Sequence, residues 1–274
     1  VPSLFATSDL HVTHRGNPEI VETIRPESPD DWLLVAGDVA DQVGSIVDTL
    51  AMLRERFAKL AWVPGNHDLW TTGRDTVALR GQDRYLHLVD RCREIDVLTP
   101  EDPYPVWEHG ERPLTVAPLF VLYDYSWRTP EAEDAPLAQA LAQAREAGVV
   151  CTDEYFLHPD PHPSRQDWCA QRLKYSEERL AAIPEDHGTI LLSHWPLHRH
   201  PTAPLYWPEF ALWCGTTRTE DWHVRYRAEA AVFGHLHIPR TTYADGVRFE
   251  EVSLGYPREW RKRARGPVAL RRIL

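Results

Sequence analysis

The sequence predicts an α/β protein built on a layered sheet, and three observations carry that reading. Short apolar runs alternate with helical-period segments over the first hundred residues. The runs are too short for helices, and each stops at a cluster of small or polar residues, as buried strands do where they open on solvent. A chain of 274 residues is long enough to bury one sizeable core and still carry an insertion.

Taken in order, "SLFATSD", "DWLLVAGD" and "KLAWVPGNHD" read as buried strands ending at Asp or at Asn-His-Asp. Between the second and third lies "GSIVDTLAMLRERFA", whose Ile46, Val47, Leu50, Leu53 and Phe57 fall on one helical face. "VALRGQDRYLHLVDRCREI" shows the same period, and Asn17 is expected to cap a short helix starting at Pro18. From Leu98 the character changes: "PLTVAPLFVLYDYSW" reads as strands. Residues 125–184, Pro- and acid-rich around two helical patterns, are expected to form an insertion or lid on a single domain spanning 1–274. Strands resume at "GTILLSHWP" and "AAVFGHLH". "RTTYADGVRFEEVSL" reads as a hairpin turning at Asp245-Gly246, and "GPVALRRIL" as a last strand.

Composition narrows the function classes. The net charge of -11 argues against general nucleic-acid binding, and no window approaches the ~20 apolar residues of a membrane span. Four cysteines lack C-x-x-C spacing and read as reduced, buried thiols. With no basic start or long apolar stretch at residues 1–11, the expected compartment is the cytoplasm. Arginine outnumbers lysine 27 to 3, the mark of a high-GC bacterial genome.

The strand ends carry the chemistry. They read "SDLH" (Asp9, His11), "GDVAD" (Asp38, Asp41), "GNHD" (Asn66, His67, Asp68), "SHWPLH" (His194) and "GHLH" (His235, His237). In open α/β sheets, sites form at the carboxyl ends of strands, where such residues converge. Each motif alone is weak, since Gly-Asp often marks a turn and a lone histidine is usually satisfied core. Five in succession, each after an apolar run, would build an oxygen- and nitrogen-lined metal site. No thiolate is among them, which disfavours structural zinc and favours manganese, iron, zinc or magnesium in open coordination.

In this order the motifs resemble the calcineurin-like metallophosphoesterases: D-x-H, G-D-x-x-D, G-N-H-D, a later His, and G-H-x-H. The resemblance implies a four-layer αββα sandwich of two mixed sheets flanked by helices. It implies two metal ions, manganese or iron favoured and zinc admissible, attacking a phosphodiester in line through a bridging hydroxide. Asp9, His11 and His237 would hold one metal, Asn66, His194 and His235 the other, and Asp38 would bridge them. His67 would protonate the leaving oxygen, Asp68 would orient it, and Asp41 would hydrogen-bond a ligand or a loop.

Beyond the ligands, His14, Arg15, His198, Arg199, Tyr256 and Arg258 are candidate substrate contacts, with a solvated polar loop as the bland reading for the first four. Trp195, Trp207, Trp213 and Trp222 crowd one region and suit core packing or substrate stacking. Residues 258–272 carry seven basic side chains and one acid in an otherwise acidic protein, a stretch that would draw an acidic partner. The "SLGYPREW" tail and the composition are similar to actinobacterial phosphoesterases that remove 4'-phosphopantetheine from acyl carrier proteins. That reaction cleaves a serine phosphodiester on a small acidic protein. The alternatives are a cyclic-nucleotide or other small-molecule phosphodiesterase, a phosphomonoesterase, and a non-catalytic scaffold; the last is disfavoured because every ligand position and His67 are present.

Overall fold

The computed structural model describes residues 2–274. The chain opens with β1 (Leu4–Thr7), α1 (Asn17–Val21), β2 (Trp32–Val35), α2 (Val43–Arg54), β3 (Lys59–Trp62), α3 (Asn66–Leu69) and α4 (Gly81–Glu94). The three aspartate- or asparagine-terminated runs pair in parallel, with Phe5 opposite Leu33 and Leu33 opposite Leu60. Strand periodicity then divides their side chains between two layers. Phe5, Leu33 and Leu60 pack outward on Ile46, Leu50 and Leu53 of α2 and Leu88 of α4. Leu4, Ala6, Leu34 and Ala61 point the other way, toward the second sheet.

The second sheet begins with β4 (Val106–Trp107) and β5 (Leu114–Pro118). After α5 (Leu137–Glu146), α6 (Asp153–Phe156) and α7 (Arg165–Ala181), the chain returns as β6 (Gly188–Leu192). It continues through α8 (Trp222–Arg225), β7 (Ala228–Phe233), β8 (Arg240–Ala244), β9 (Val247–Glu251), α9 (Pro257–Trp260) and β10 (Arg271–Arg272). The sheet order is β4-β5-β6-β7-β9-β8, while β10 joins the first sheet to give β10-β1-β2-β3. Val116, Ile190, Leu192, Ala230 and Val232 meet Leu4, Ala6 and Leu34 between the sheets, and helices cover both outer faces. The result is the expected αββα sandwich.

Residues 125–184, expected as an insertion or lid, carry α7. β5 and β6 are parallel neighbours, which requires a crossover, and α7 supplies it, burying Trp168, Cys169, Leu173 and Leu180 in the outer core of the second sheet. Asn17 does not cap α1: the Ncap is Gly16 with no side-chain cap bond. Asn17 instead donates to the carbonyls of Leu10 and Gly255 at 2.8 and 3.0 Å and accepts from Trp260 Nε1 at 2.9 Å. It ties the first strand-end loop to the C-terminal segment. The Asp245-Gly246 turn is as expected, with both residues at positive φ (49° and 79°). All four cysteines are buried and unpaired. Among the described residues, no helix is long and apolar enough to cross a membrane.

Candidate metal centre

The parallel strands of both sheets end at one edge of the sandwich, and backbone hydrogen bonds lace their end loops together. Asp9 N–H donates to the Gly37 carbonyl, His11 N–H to Asp38, Gly234 N–H to His194, and Leu254 N–H to Ser8, all within 2.9–3.1 Å. Asp9, His11, Asp38, His235 and His237 all have positive φ, between 41° and 69°. Outside glycine this region is sparsely populated and costs about 1–3 kcal/mol per residue where it is fully strained. Strain concentrated on five candidate ligands is the mark of turns bent to aim side chains inward.

The donors form two groups sharing Asp38. In the first, His237 Nε2 lies 2.9 Å from Asp9 Oδ1 and 3.2 Å from His11 Nε2. In the second, Asn66 Oδ1 lies 3.0 Å from His194 Nε2 and 3.2 Å from His235 Nδ1. Asp38 Oδ2 stands between, 3.8 Å from His11 Nε2 and 3.6 Å from His194 Nε2. Adjacent donors on a metal with bonds of about 2.1 Å sit roughly 3 Å apart, so these spacings suit coordination spheres.

Protonation chemistry agrees for His11, His194 and His235. Burial, helped by neighbouring imidazoles, holds His11 and His235 well below the ordinary imidazole range, and burial also lowers His194. They are neutral and offer lone pairs. His194 Nδ1 donates to the Ala36 carbonyl at 2.7 Å, and that tautomer leaves Nε2 free for a metal. His237 Nδ1 is held in the same way by Glu259 at 2.7 Å. Burial works against a charge on His237, but Asp9 and Glu259 on its two sides raise its pKa well above the usual range. Asp38 goes the other way: burial and then the neighbouring Asp9 and Asp68 push its carboxyl well up. Buried carboxylates need a compensating cation: Asp9 has His237 beside it at 2.9 Å, whereas Asp38 has no Lys or Arg in salt-bridge range among the described residues. The donor set therefore fits metal ions.

His67 lies at the mouth of the centre. Its ring rests on Trp70 with centroids 3.6 Å apart, and Nε2 is 3.1 Å from the Tyr256 hydroxyl and 3.9 Å from Asp38 Oδ2. Tyr256 stacks on His11 at 4.5 Å and 22°. His14 packs against both His11 and Tyr256, and His14, Arg15, Tyr256 and Arg258 line a cavity of about 620 Å³ beside the centre. The structure thus brings those four candidates together with the candidate ligands.

Three assignments need correction. Asp68 does not touch the His67 ring; its carboxylate accepts the backbone N–H groups of Asp38, Val39, Ala40 and Gly65 at 2.9–3.3 Å. Adjacency in sequence puts the two side chains on different sides of the short α3. Asp41 hydrogen-bonds no ligand: its buried Oδ1 has no partner, and only its carbonyl is engaged, by Arg84 at 3.3 Å. His198 and Arg199 turn away from the candidate metal centre. His198 pairs with His200 at 2.8 Å and packs on Phe249, and Arg199 caps the Arg128 carbonyl. Of the tryptophans, Trp195, Trp213 and Trp222 are core, while Trp207 is 49% exposed beside the site.

Sequence reasoning passed over two residues. Asp153 is buried and accepts from Asn66 Nδ2 at 2.9 Å, Trp70 Nε1 at 2.7 Å and the Tyr123 hydroxyl at 3.0 Å. This bond fixes the Asn66 amide with Oδ1 toward His194 and His235. No local pattern could reveal a partner 87 positions away. Glu259 did leave a trace: Pro257 and Glu259 after Tyr256 spell a helix start in which Glu259 reaches back to the Tyr256 N–H at 2.8 Å.

The comparisons with known proteins point the same way. Residues 3–239 match the family model described as calcineurin-like phosphoesterase. The chain is 53% identical over 262 residues to the [acyl-carrier-protein] phosphodiesterase PptH of Mycobacterium tuberculosis, covering 96% of this chain and 80% of that protein. It superposes on the crystal structure of that phosphopantetheinyl hydrolase with a TM-score of 0.95 and 52% identity, over 100% of this chain and 96% of the other. With the fold, the five strand-end motifs and a match spanning most of its length in agreement, the chain belongs to the calcineurin-like phosphoesterase family.

Proposed function

We propose that this protein is a dinuclear-metal phosphodiesterase that removes 4'-phosphopantetheine from acyl carrier protein. The observation that carries the reading is the convergence of Asp9, His11, Asp38, Asn66, His194, His235 and His237 with His67 beside them, in a chain 53% identical to PptH. Asp9, His11, His237 and Asp38 would hold one ion, and Asp38, Asn66, His194 and His235 the other. Manganese or iron suits this mixed oxygen and nitrogen set best. Such ions supply positive charge for the phosphoryl oxygens and acidify water.

The chain's own residues do the rest. A water oxygen adds to phosphorus opposite the serine oxygen, and the P–O bond to the serine breaks. The attacking water gives up one proton to solvent, and His67, protonated from solvent, gives one to the serine oxygen, leaving a serine hydroxyl on the carrier and a phosphomonoester on the pantetheine. Burial and the neighbouring His237 hold His67 well below its usual range, so it is neutral before substrate arrives. The negative charge of a bound diester beside it favours uptake of the proton it must deliver. We place the reaction in the cytoplasm, where four buried, unpaired cysteines stay reduced.

The test compares bis(p-nitrophenyl) phosphate with p-nitrophenyl phosphate on Mn²⁺-loaded protein, then follows holo-acyl carrier protein by mass spectrometry. Preference for the diester and conversion of holo- to apo-carrier are expected. Preference for the monoester, with no change in carrier mass, would overturn the assignment.

A further inference from the structure

Two cavities flank His67 and Tyr256, and their walls differ in kind. The first, about 620 Å³, is rimmed by Arg15, Arg74, Arg258 and Arg261, with Asp41 the one acid in its lining. All four are exposed, and none has a carboxylate in salt-bridge range among the described residues. Arginines elsewhere are commonly paired, as Arg84 is with Asp75 at 2.8 Å and Arg271 with Glu250 at 2.9 Å. The second cavity, about 510 Å³, opens on Asp38, Asn66 and His235, meets the first at Arg258, and is walled by Leu205, Tyr206, Trp207 and Phe210. Tyr206 is 85% exposed, so this wall presents aromatic surface with little covering it.

In a protein of net charge -11, four unpartnered arginines around one opening make a local field of the opposite sign. Such a rim selects an acidic macromolecular surface and raises its rate of encounter. The aromatic wall suits an uncharged, partly apolar chain. We propose that the acidic face of the carrier protein docks on the arginine rim while the pantetheine arm leaves along the aromatic wall. This inference rests on the carrier-protein reading and adds the direction in which the substrate lies across the metals. The diester phosphorus then sits between the cavities, next to His67, with the serine oxygen toward the arginines.

The experiment pairs two substrates carrying the same arm: holo-acyl carrier protein and a short, uncharged peptide bearing phosphopantetheinyl-serine. The R74E/R261E variant should raise the ratio of peptide to carrier kcat/KM by about tenfold or more, chiefly through KM for the carrier. Added salt should weaken the wild type on the carrier and affect the variant less. W207A should lower kcat/KM on both arm-bearing substrates relative to bis(p-nitrophenyl) phosphate. R74A/R261A, with metal content and melting temperature measured alongside, guards against a folding defect. An unchanged ratio in the charge-reversed variant, with the carrier still processed, overturns the docking proposal alone. Wild-type protein that cleaves bis(p-nitrophenyl) phosphate but neither arm-bearing substrate overturns the carrier reading, and the docking proposal with it.

Discussion

At the residue scale, the clearest case is Asp68. Its four backbone donors come from the turn after β2 and the turn before α3, the segments that carry Asp38 and Asn66. One carboxylate thus sets the spacing between Asp38, the candidate shared ligand, and Asn66, a candidate ligand of the second group. Asp68→Asn replaces an acceptor oxygen by an NH₂ that faces backbone N–H groups. It should cost about 2–3 kcal/mol of stability and lower metal content, read by thermal melts and elemental analysis. Unchanged metal content would show that the turns hold themselves. Asp38→Asn should reduce both metal content and turnover sharply, since both donor groups use Asp38. His67→Ala should keep the metals and lose most on a diester with a poor leaving group, less on an activated aryl one. Equal losses on both would argue against the proton-donor role. The sequence made Asp68 legible as a functional acid but not its task. A hydrogen bond between chain neighbours is easy to imagine, whereas four bonds to separate turns exist only in the fold.

At the element scale, the site depends on how closely the strand-end loops approach one another. A Cβ built on Gly65 would lie 2.1 Å from Asp38 Oδ1 and 2.5 Å from Asp38 N, and one on Gly234 would lie 2.0 Å from Ser8 Oγ and 2.2 Å from Asp9 Oδ2. Backbone atoms cannot yield at those distances, so Gly65→Ala must push the Asp38 turn aside. The expected outcome is a folded protein with an intact far-UV spectrum that binds less than half the wild-type metal and turns over slowly. Full metal occupancy would mean that the turn can move without losing its ligand. Here the sequence was most informative. The apolar runs located β1, β2, β3, β6 and β7, and the helical period located α2, α4, α5 and α7, because burial imposes those patterns directly. The positive-φ turns at Asp9, His11, Asp38, His235 and His237 left no comparable trace. Their conformations are set by bonds between loops from distant strands. For the same reason α7 read as part of an insertion or lid: that it is the crossover follows from which strands pair.

At the scale of the whole molecule, the two chain ends close the first sheet. β10 pairs antiparallel with β1, Ile273 enters the layer between the sheets, and Arg272 pairs with Glu27. Asp31 is the keystone on the facing side. Its carboxylate accepts the N–H groups of Ser3, Glu27 and Ser28 at 2.7–2.8 Å, fastening the start of β1 to the loop before β2. Burial alone would raise its pKa, but the three N–H donors and nearby Arg272 outweigh it and hold the carboxyl below its usual value. A carboxyl whose pKa is lower in the folded state stabilises the protein above its unfolded pKa of about 3.9, and that contribution fades as pH falls toward the folded value. Wild type should therefore melt well above Asp31→Asn at pH 7, and the gap should narrow from about pH 4 downward. Chemical denaturation at a series of pH values measures it, with both proteins stripped of metal so that ligand protonation at the far edge does not enter. A gap that stays constant to pH 3 would assign the cost of the substitution to shape and not to charge. The N-terminal strand would then be held by β10 and Ile273 without help from the carboxylate.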